Sequence, residues 1–254
     1  MKLNFKKYGE GEPLVILHGL FGSLDNWASL AKKFGEHFEV FIVDARNHGT
    51  SPHCEDFNYD RMTDDLYEFV MESNIIEPII LGHSMGGKTA MQFAMNYPNL
   101  ISKLIVADIA PKAYPVHHTT ILDGMFSIDL EIISTRKGAD NQLRMHVPEF
   151  STRQFLLKNL YWIENEKLAW RFNLPIINKK IENIGQKLAN IQAFEAPTLF
   201  VRGEKSNYIT ESDFEPILEI FPNAEIKTMN TGHWLHAEKP TEFLQIVSSF
   251  LLSN

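Results

Sequence analysis

A serine between two glycines is the most reactive arrangement in the chain. Gly82, His83, Ser84, Met85 and Gly86 follow the apolar run Pro78 to Leu81 and lead into a helical pattern from Gly87. A strand that turns abruptly into a helix strains its central residue and lifts that side chain clear of the sheet. Glycine is needed on both sides, because a β-carbon there would strike the neighbouring element. The Ser84 hydroxyl then stands at a helix N-terminus, where the dipole favours negative charge. A serine is a weak nucleophile until a base takes its proton. His233, in the stretch MNTGHWLHAEKP after the last predicted strand, can reach the same edge of a parallel sheet. His236, three residues on, competes for the role, but its place in or beside the final helix favours His233. Acyl transfer also needs N–H donors for an oxyanion. The stretch His18 to Gly22 follows another strand and can aim the Leu20 amide, with Phe21 as the alternative, beside that of Met85. His18 is read as a holder of this loop.

These residues need a sheet whose strand ends share one edge. Apolar runs at 14–17, 40–43, 78–81 and 102–107 read as strands. Helical patterns at 25–37, 59–73 and 87–96 separate them. The scheme returns after 196, with strands at 197–201 and 225–229 and helices at 211–220 and 241–252. Strands alternating with helices of this length imply a mostly parallel sheet with helices on both faces. The rhythm breaks between Pro111 and Ala196, a mostly helical stretch carrying Phe150, Phe155, Trp162, Trp170 and Phe172. Residues 1–110 and 197–254 are therefore expected to form the core, and 111–196 an inserted helical cap. Its aromatics read mainly as packing residues, with a few lining an apolar tunnel above Ser84.

With these motifs in hand, the chain resembles an α/β-hydrolase and, within that superfamily, the YbfF-type esterases of bacteria. The match is carried by LHGLFGSLDNW, VDARNHGTS, LGHSMGGK, ADIAP, WRFNLP and TGHWLHAEKP, which span nearly the whole chain. The resemblance implies hydrolysis of acyl esters, extending to acyl thioesters, without a cofactor. In most α/β-hydrolases the acid that orients the histidine lies in the loop after the penultimate strand. That loop reads Glu204, Lys205, Ser206, Asn207, with serine where the acid is expected and Glu204 two residues early. Asp108, at the end of LIVAD, lies on the same predicted edge as Ser84 and His233. The YbfF resemblance implies that Asp108 is the acid and Ser206 its hydrogen-bonding auxiliary. A hydroxyl cannot neutralise an imidazolium, so Ser206 is secondary. Related scaffolds also perform lyase steps in menaquinone synthesis and carbon–carbon bond hydrolysis, which is the second enzymatic reading. A hydrolase-fold binding protein without turnover is the third.

Composition narrows the field. A length of 254 residues with 44% hydrophobic and 22% charged residues suits a globular protein with a sizeable core. The formal charge of −8 argues against generic nucleic-acid binding. Cys54 is the single cysteine, so no intrachain disulfide can form. The polar N-terminus and the lack of a long apolar run lead to the expectation of a cytoplasmic protein with no integral membrane segment. Arg46 and His48 read as scaffolding in a tight loop, with Asn47 tolerating a left-handed backbone. The pair His117 and His118 lacks a companion at ligand spacing, so no metal is expected. The expected partner is a small acyl ester or thioester.

Overall fold

Strands buried on both faces must be apolar at every position, and the central runs of this chain are. In the computed structural model, which describes residues 1–115, 118–163, 167–189 and 191–252, the runs become β2 (Glu12–Leu17), β3 (Phe38–Val43), β4 (Ile79–His83), β5 (Lys103–Ala107) and β8 (Thr198–Gly203). With β9 (Ala224–Met229) they form parallel pairs, and β1 (Phe5–Tyr8) adds an antiparallel edge on β3, giving the order β1-β3-β2-β4-β5-β8-β9. Leu14 and Ile16 of β2 face one side, packing with Leu30 and Phe34 of α1 (Ala28–Phe34) and Phe243 and Val247 of the last helix, Pro240–Leu251. Val15 and Leu17 face the other, with Met62, Leu66 and Phe69 of α2 (Tyr59–Glu72) and Met91 of α3 (Met85–Asn96). The period-two alternation of strand side chains divides the core in this way.

The sheet edges follow a different rule. β1 exposes Lys6 and Lys7, and β9 exposes Glu225, Lys227 and Thr228. Charge on an edge strand discourages pairing with another chain. β1 has no apolar alternation, and the sequence pattern does not mark it. The expected helix over 25–37 is instead a 3-10 turn at Leu24–Asn26 followed by α1, ending at Gly35. Similarly, 211–220 divides into a 3-10 turn at Glu211–Asp213 and α9 (Phe214–Ile220).

Between β5 and β8 lie α4 (Thr119–Phe126), α5 (Arg136–Leu143), α6 (Phe150–Leu157), the short antiparallel pair β6 (Leu160–Trp162) and β7 (Leu168–Trp170), α7 (Leu174–Lys179) and α8 (Ile181–Gly185). The hairpin is an addition to the helical expectation. Buried Arg153 of α6 joins the insertion internally, donating to Asp140 Oδ1 at 2.8 Å and to the carbonyls of Val147 and Pro148 at 3.0 and 2.7 Å. This segment bonds to the loops that follow β2 and β3. Asn159 Nδ2 donates to the Phe21 carbonyl at 2.7 Å and Asn183 Nδ2 to the Phe57 carbonyl at 3.0 Å. These bonds hold it over the carboxyl edge of the sheet, where ligand sites of parallel sheets form.

Candidate active site

The turn between β4 and α3 leaves no room for side chains on its flanks. A β-carbon on Gly82 would lie 2.2 Å from the Gly86 carbonyl oxygen, and one on Gly86 would lie 2.6 Å from those of Leu17 and His18. Ser84 between them has φ 54° and ψ −119°, a left-handed conformation that costs a non-glycine residue about 1–3 kcal/mol. Its amide donates to the Ala107 carbonyl at 3.0 Å, extending the β4–β5 ladder by one residue. Asp108, next after Ala107, is also left-handed at φ 51°, and its amide donates to the Val201 carbonyl at 2.9 Å. Phe21, beyond β2, is the third such residue at this edge, at φ 59°.

The Asp108 carboxylate is fully buried and fully occupied. Oδ1 accepts the Gly203 amide at 2.9 Å, while Oδ2 faces His233 Nδ1 at 2.8 Å and accepts the Ser206 hydroxyl in a short hydrogen bond. Because a carboxylate only accepts, His233 Nδ1 carries the proton and Nε2 is left as the basic nitrogen. Gly203 permits this contact, since a β-carbon there would lie 2.3 Å from the Gly232 carbonyl oxygen. Tyr208 stacks on the His233 ring with centroids 4.0 Å apart. Burial, followed by the Asp108 charge, pushes the Tyr208 phenol up to about 12, so it stays neutral.

Glu204 is exposed; its backbone amide bonds the Met229 carbonyl, and Asp108 holds the position beside His233. His236 turns away from Asp108 and stacks on Trp27, centroids 4.2 Å apart and planes 9° from parallel. Burial, followed by His233, lowers it to about 3. His83 is a contributor that the sequence reading did not single out. Its Nε2 donates to the His233 carbonyl at 2.9 Å, and burial holds the ring well below the usual imidazole range, so it remains a neutral donor. A histidine inside the serine motif was the available signal.

The loop after β2 is fixed by two neutral histidines. His18 Nε2 accepts the Ala45 amide at 3.0 Å while Nδ1 donates to the Gly19 carbonyl at 2.8 Å. His48 Nδ1 donates to the Arg46 carbonyl at 3.0 Å and Nε2 accepts the Phe21 amide at 3.2 Å. Burial lowers both rings, His48 to about 3. The Phe21 N–H is thereby engaged, and Leu20 and Met85 border the same small space at Ser84. Arg46 grips Asp65 through Nε and Nη2 at 2.6 and 2.8 Å, with further bonds to the Asp56 and Arg61 carbonyls. Breaking such a buried pair costs about 3–5 kcal/mol. Asn47 has φ 63°.

Ser84, His233, Leu20 and Phe21 line a cavity of about 200 Å³, closed by Phe155, Trp234 and other mostly apolar groups. His118 also lines it, whereas His117 lies outside the described residues. Among the described residues no group of three or more His, Cys, Asp or Glu could hold a metal ion, and no helix is long and apolar enough to cross a membrane.

A family model described as alpha/beta hydrolase fold matches residues 12–240. The chain belongs to the α/β-hydrolase family. This α/β-hydrolase is 40% identical over 97% of its length to sn-1-specific diacylglycerol lipase ABHD11 of Danio rerio, covering 80% of that protein. It is 35% identical to Esterase YbfF of Escherichia coli (strain K12), with 99% of each chain covered. A solved structure titled marine microorganism esterase superposes with a TM-score of 0.95 at 44% identity, covering 98% of this chain and 99% of that one. Within the α/β-hydrolases the chain is thus one of the YbfF-like esterases.

Proposed function

We propose that the protein is a serine carboxylesterase in which Ser84 is the nucleophile, His233 the general base and Asp108 the acid that orients it. The 2.8 Å contact between His233 Nδ1 and buried Asp108 Oδ2 carries the proposal. It fixes the tautomer that leaves Nε2 free to take the Ser84 proton. Attack of Oγ on the acyl carbon gives a tetrahedral oxyanion, held by the Leu20 and Met85 amides. Collapse expels the alcohol, which takes the proton from His233 and leaves an acyl-enzyme. Water, deprotonated by His233, then releases the acid. The Ser206 hydroxyl donates to the same oxygen that faces His233, which steadies the carboxylate without replacing its charge.

In this reading residues 111–196 serve as a cap whose aromatic and aliphatic groups shield Ser84 from water. The substrates are acyl esters, with acyl-CoA thioesters as a second class attacked by the same steps. The site of action is taken to be the cytoplasm, which cell fractionation tests. The deciding experiment is a burst assay with a chromogenic short-chain ester. The wild type releases product through an acyl-enzyme and Ser84→Ala does not. Turnover that survives Ser84→Ala overturns the proposal.

A further inference from the structure

Lys88 lies one turn beyond Ser84 on α3, its amide donating to the Ser84 carbonyl at 3.0 Å. It has no exposed surface, and burial with no charged partner governs it. Its ammonium instead donates to the Gln186 carbonyl at 2.5 Å and lies 5.3 and 4.9 Å from the ring centroids of Tyr59 and Tyr114. Burial draws its pKa down to about 8, so the group is still mostly charged at neutral pH. Burying an ammonium without a counter-ion is costly. An apolar side chain of similar length would avoid that cost, but would leave the Gln186 carbonyl without this donor.

The contact is one of three in a row. α8 ends here, where the last carbonyls of a helix have no partner within it. Ile184 receives the Tyr59 hydroxyl at 2.8 Å, Gly185 the Tyr114 amide at 2.7 Å, and Gln186 the Lys88 ammonium. Tyr59 and Lys88 thus clamp this helix end to α2 and α3, while Tyr114, from the same 111–196 segment, fills the place between them. Tyr59, Tyr114, Ile184 and Gly185 also wall a second cavity at Ser84, shared with Leu20 and Met85. Its free volume is about 30 Å³, against about 200 Å³ on the His233 side. Space for about two waters accepts a methyl or ethyl group and little more.

We propose that Lys88 is a positioning residue that sets substrate size by clamping the wall of this small subsite. The preferred substrates are esters with one bulky group and one short group flanking the ester, and esters bulky on both sides are excluded. The inference rests on Ser84 being the nucleophile. The test compares kcat/KM for hexyl acetate, ethyl hexanoate and hexyl hexanoate in the wild type, Lys88→Met and Tyr59→Phe, with thermal melts verifying the fold of each. The wild type is expected to favour at least one of the first two over hexyl hexanoate by tenfold or more. Lys88→Met should narrow that preference to within about threefold, chiefly through gain on hexyl hexanoate, and Tyr59→Phe should shift it the same way by less. A general loss of stability would lower all three rates together and leave their ratio unchanged. A wild type indifferent to the doubly bulky ester overturns the inference, as does an unchanged ratio in whichever variants fold. Failure of the wild type to hydrolyse any of the three esters would instead sink the esterase reading, and this inference with it.

Discussion

Asp108 and His233 meet at 2.8 Å across 125 residues of chain. The contact is short because β5 and β8 are hydrogen-bonded neighbours, so a carboxylate at the end of β5 projects into the space beside the β8 loop. Ser206 occupies that loop and donates to the carboxylate. The negative charge has moved one strand across the sheet, and the loop retains a hydrogen-bonding role.

Removing the charge should therefore matter far more than removing the hydroxyl. Asp108→Asn is expected to lower kcat by about 10⁴-fold, because the amide disfavours the productive imidazole tautomer. Ser206→Ala should cost about tenfold, the loss of one hydrogen bond to a charged group. Glu204→Gln should leave kcat within about twofold. Initial rates on p-nitrophenyl acetate rank the three, and a large loss in Glu204→Gln would contradict the assignment.

Gly203 links the fold to this carboxylate. A methyl group there meets the Gly232 carbonyl oxygen at 2.3 Å and displaces the turn that carries His233. Gly203→Ala should lower Tm by several degrees, roughly 2–4 °C for each kcal/mol lost in a chain of this size. It should also reduce kcat by more than tenfold. Calorimetry and steady-state rates check both parts; an unaltered Tm would show that the turn yields freely.

His48 holds the loop after β2, to which the proposed oxyanion donor Leu20 belongs, from behind. Leucine in its place strips the buried Phe21 amide of its acceptor, a loss worth about 1–3 kcal/mol, and frees the loop bearing Leu20. We expect His48→Leu to depress kcat by about tenfold to a hundredfold with little change in KM. Glutamine, whose amide oxygen can accept the same N–H, should restore much of it. Equal losses in both variants would argue against a role for the hydrogen bond.

Sensitivity to acid follows from four buried imidazoles. His18, His48, His83 and His236 are all lowered from the ordinary value of 6.5, mainly by burial, with His48 and His236 at about 3. Below about pH 6.5 the unfolded chain binds protons that the folded one refuses. Unfolding then takes up protons, and stability falls as pH falls. Between their folded values and 6.5, His48 and His236 each contribute a limiting slope of roughly 1.4 kcal/mol per pH unit, about 3 kcal/mol per unit for the pair, and His18 and His83 act in the same direction. Urea melts at pH 7, 6 and 5 should show a steep drop, and His236→Phe should flatten it. A stability independent of pH over this range would contradict the burial of these rings.

The legible parts of the molecule were those governed by local pattern. β2, β4 and β5 are continuous apolar runs because both faces are covered, and the serine turn announces itself through glycines that steric contact demands. Asp108 stood out by ending a strand, and the resemblance supplied its role. Contacts between distant segments left no such trace. β1 is an exposed, lysine-bearing edge without alternation, and the β6–β7 hairpin has three residues per strand, too few for a period to emerge. The Lys88 clamp depends on α8 returning to α3, a relationship between residues 98 positions apart.

The left-handed backbone at Phe21, Ser84 and Asp108 sets endurance against turnover. Each of these residues would relax if replaced by glycine, which occupies that region without steric penalty. At Asp108 the buried donors that the carboxylate satisfies oppose that gain, so a search guided by heat resistance alone would be drawn towards Ser84→Gly and would harvest sturdier proteins without the proposed nucleophile. Any effort to harden this protein must score product formation at every round.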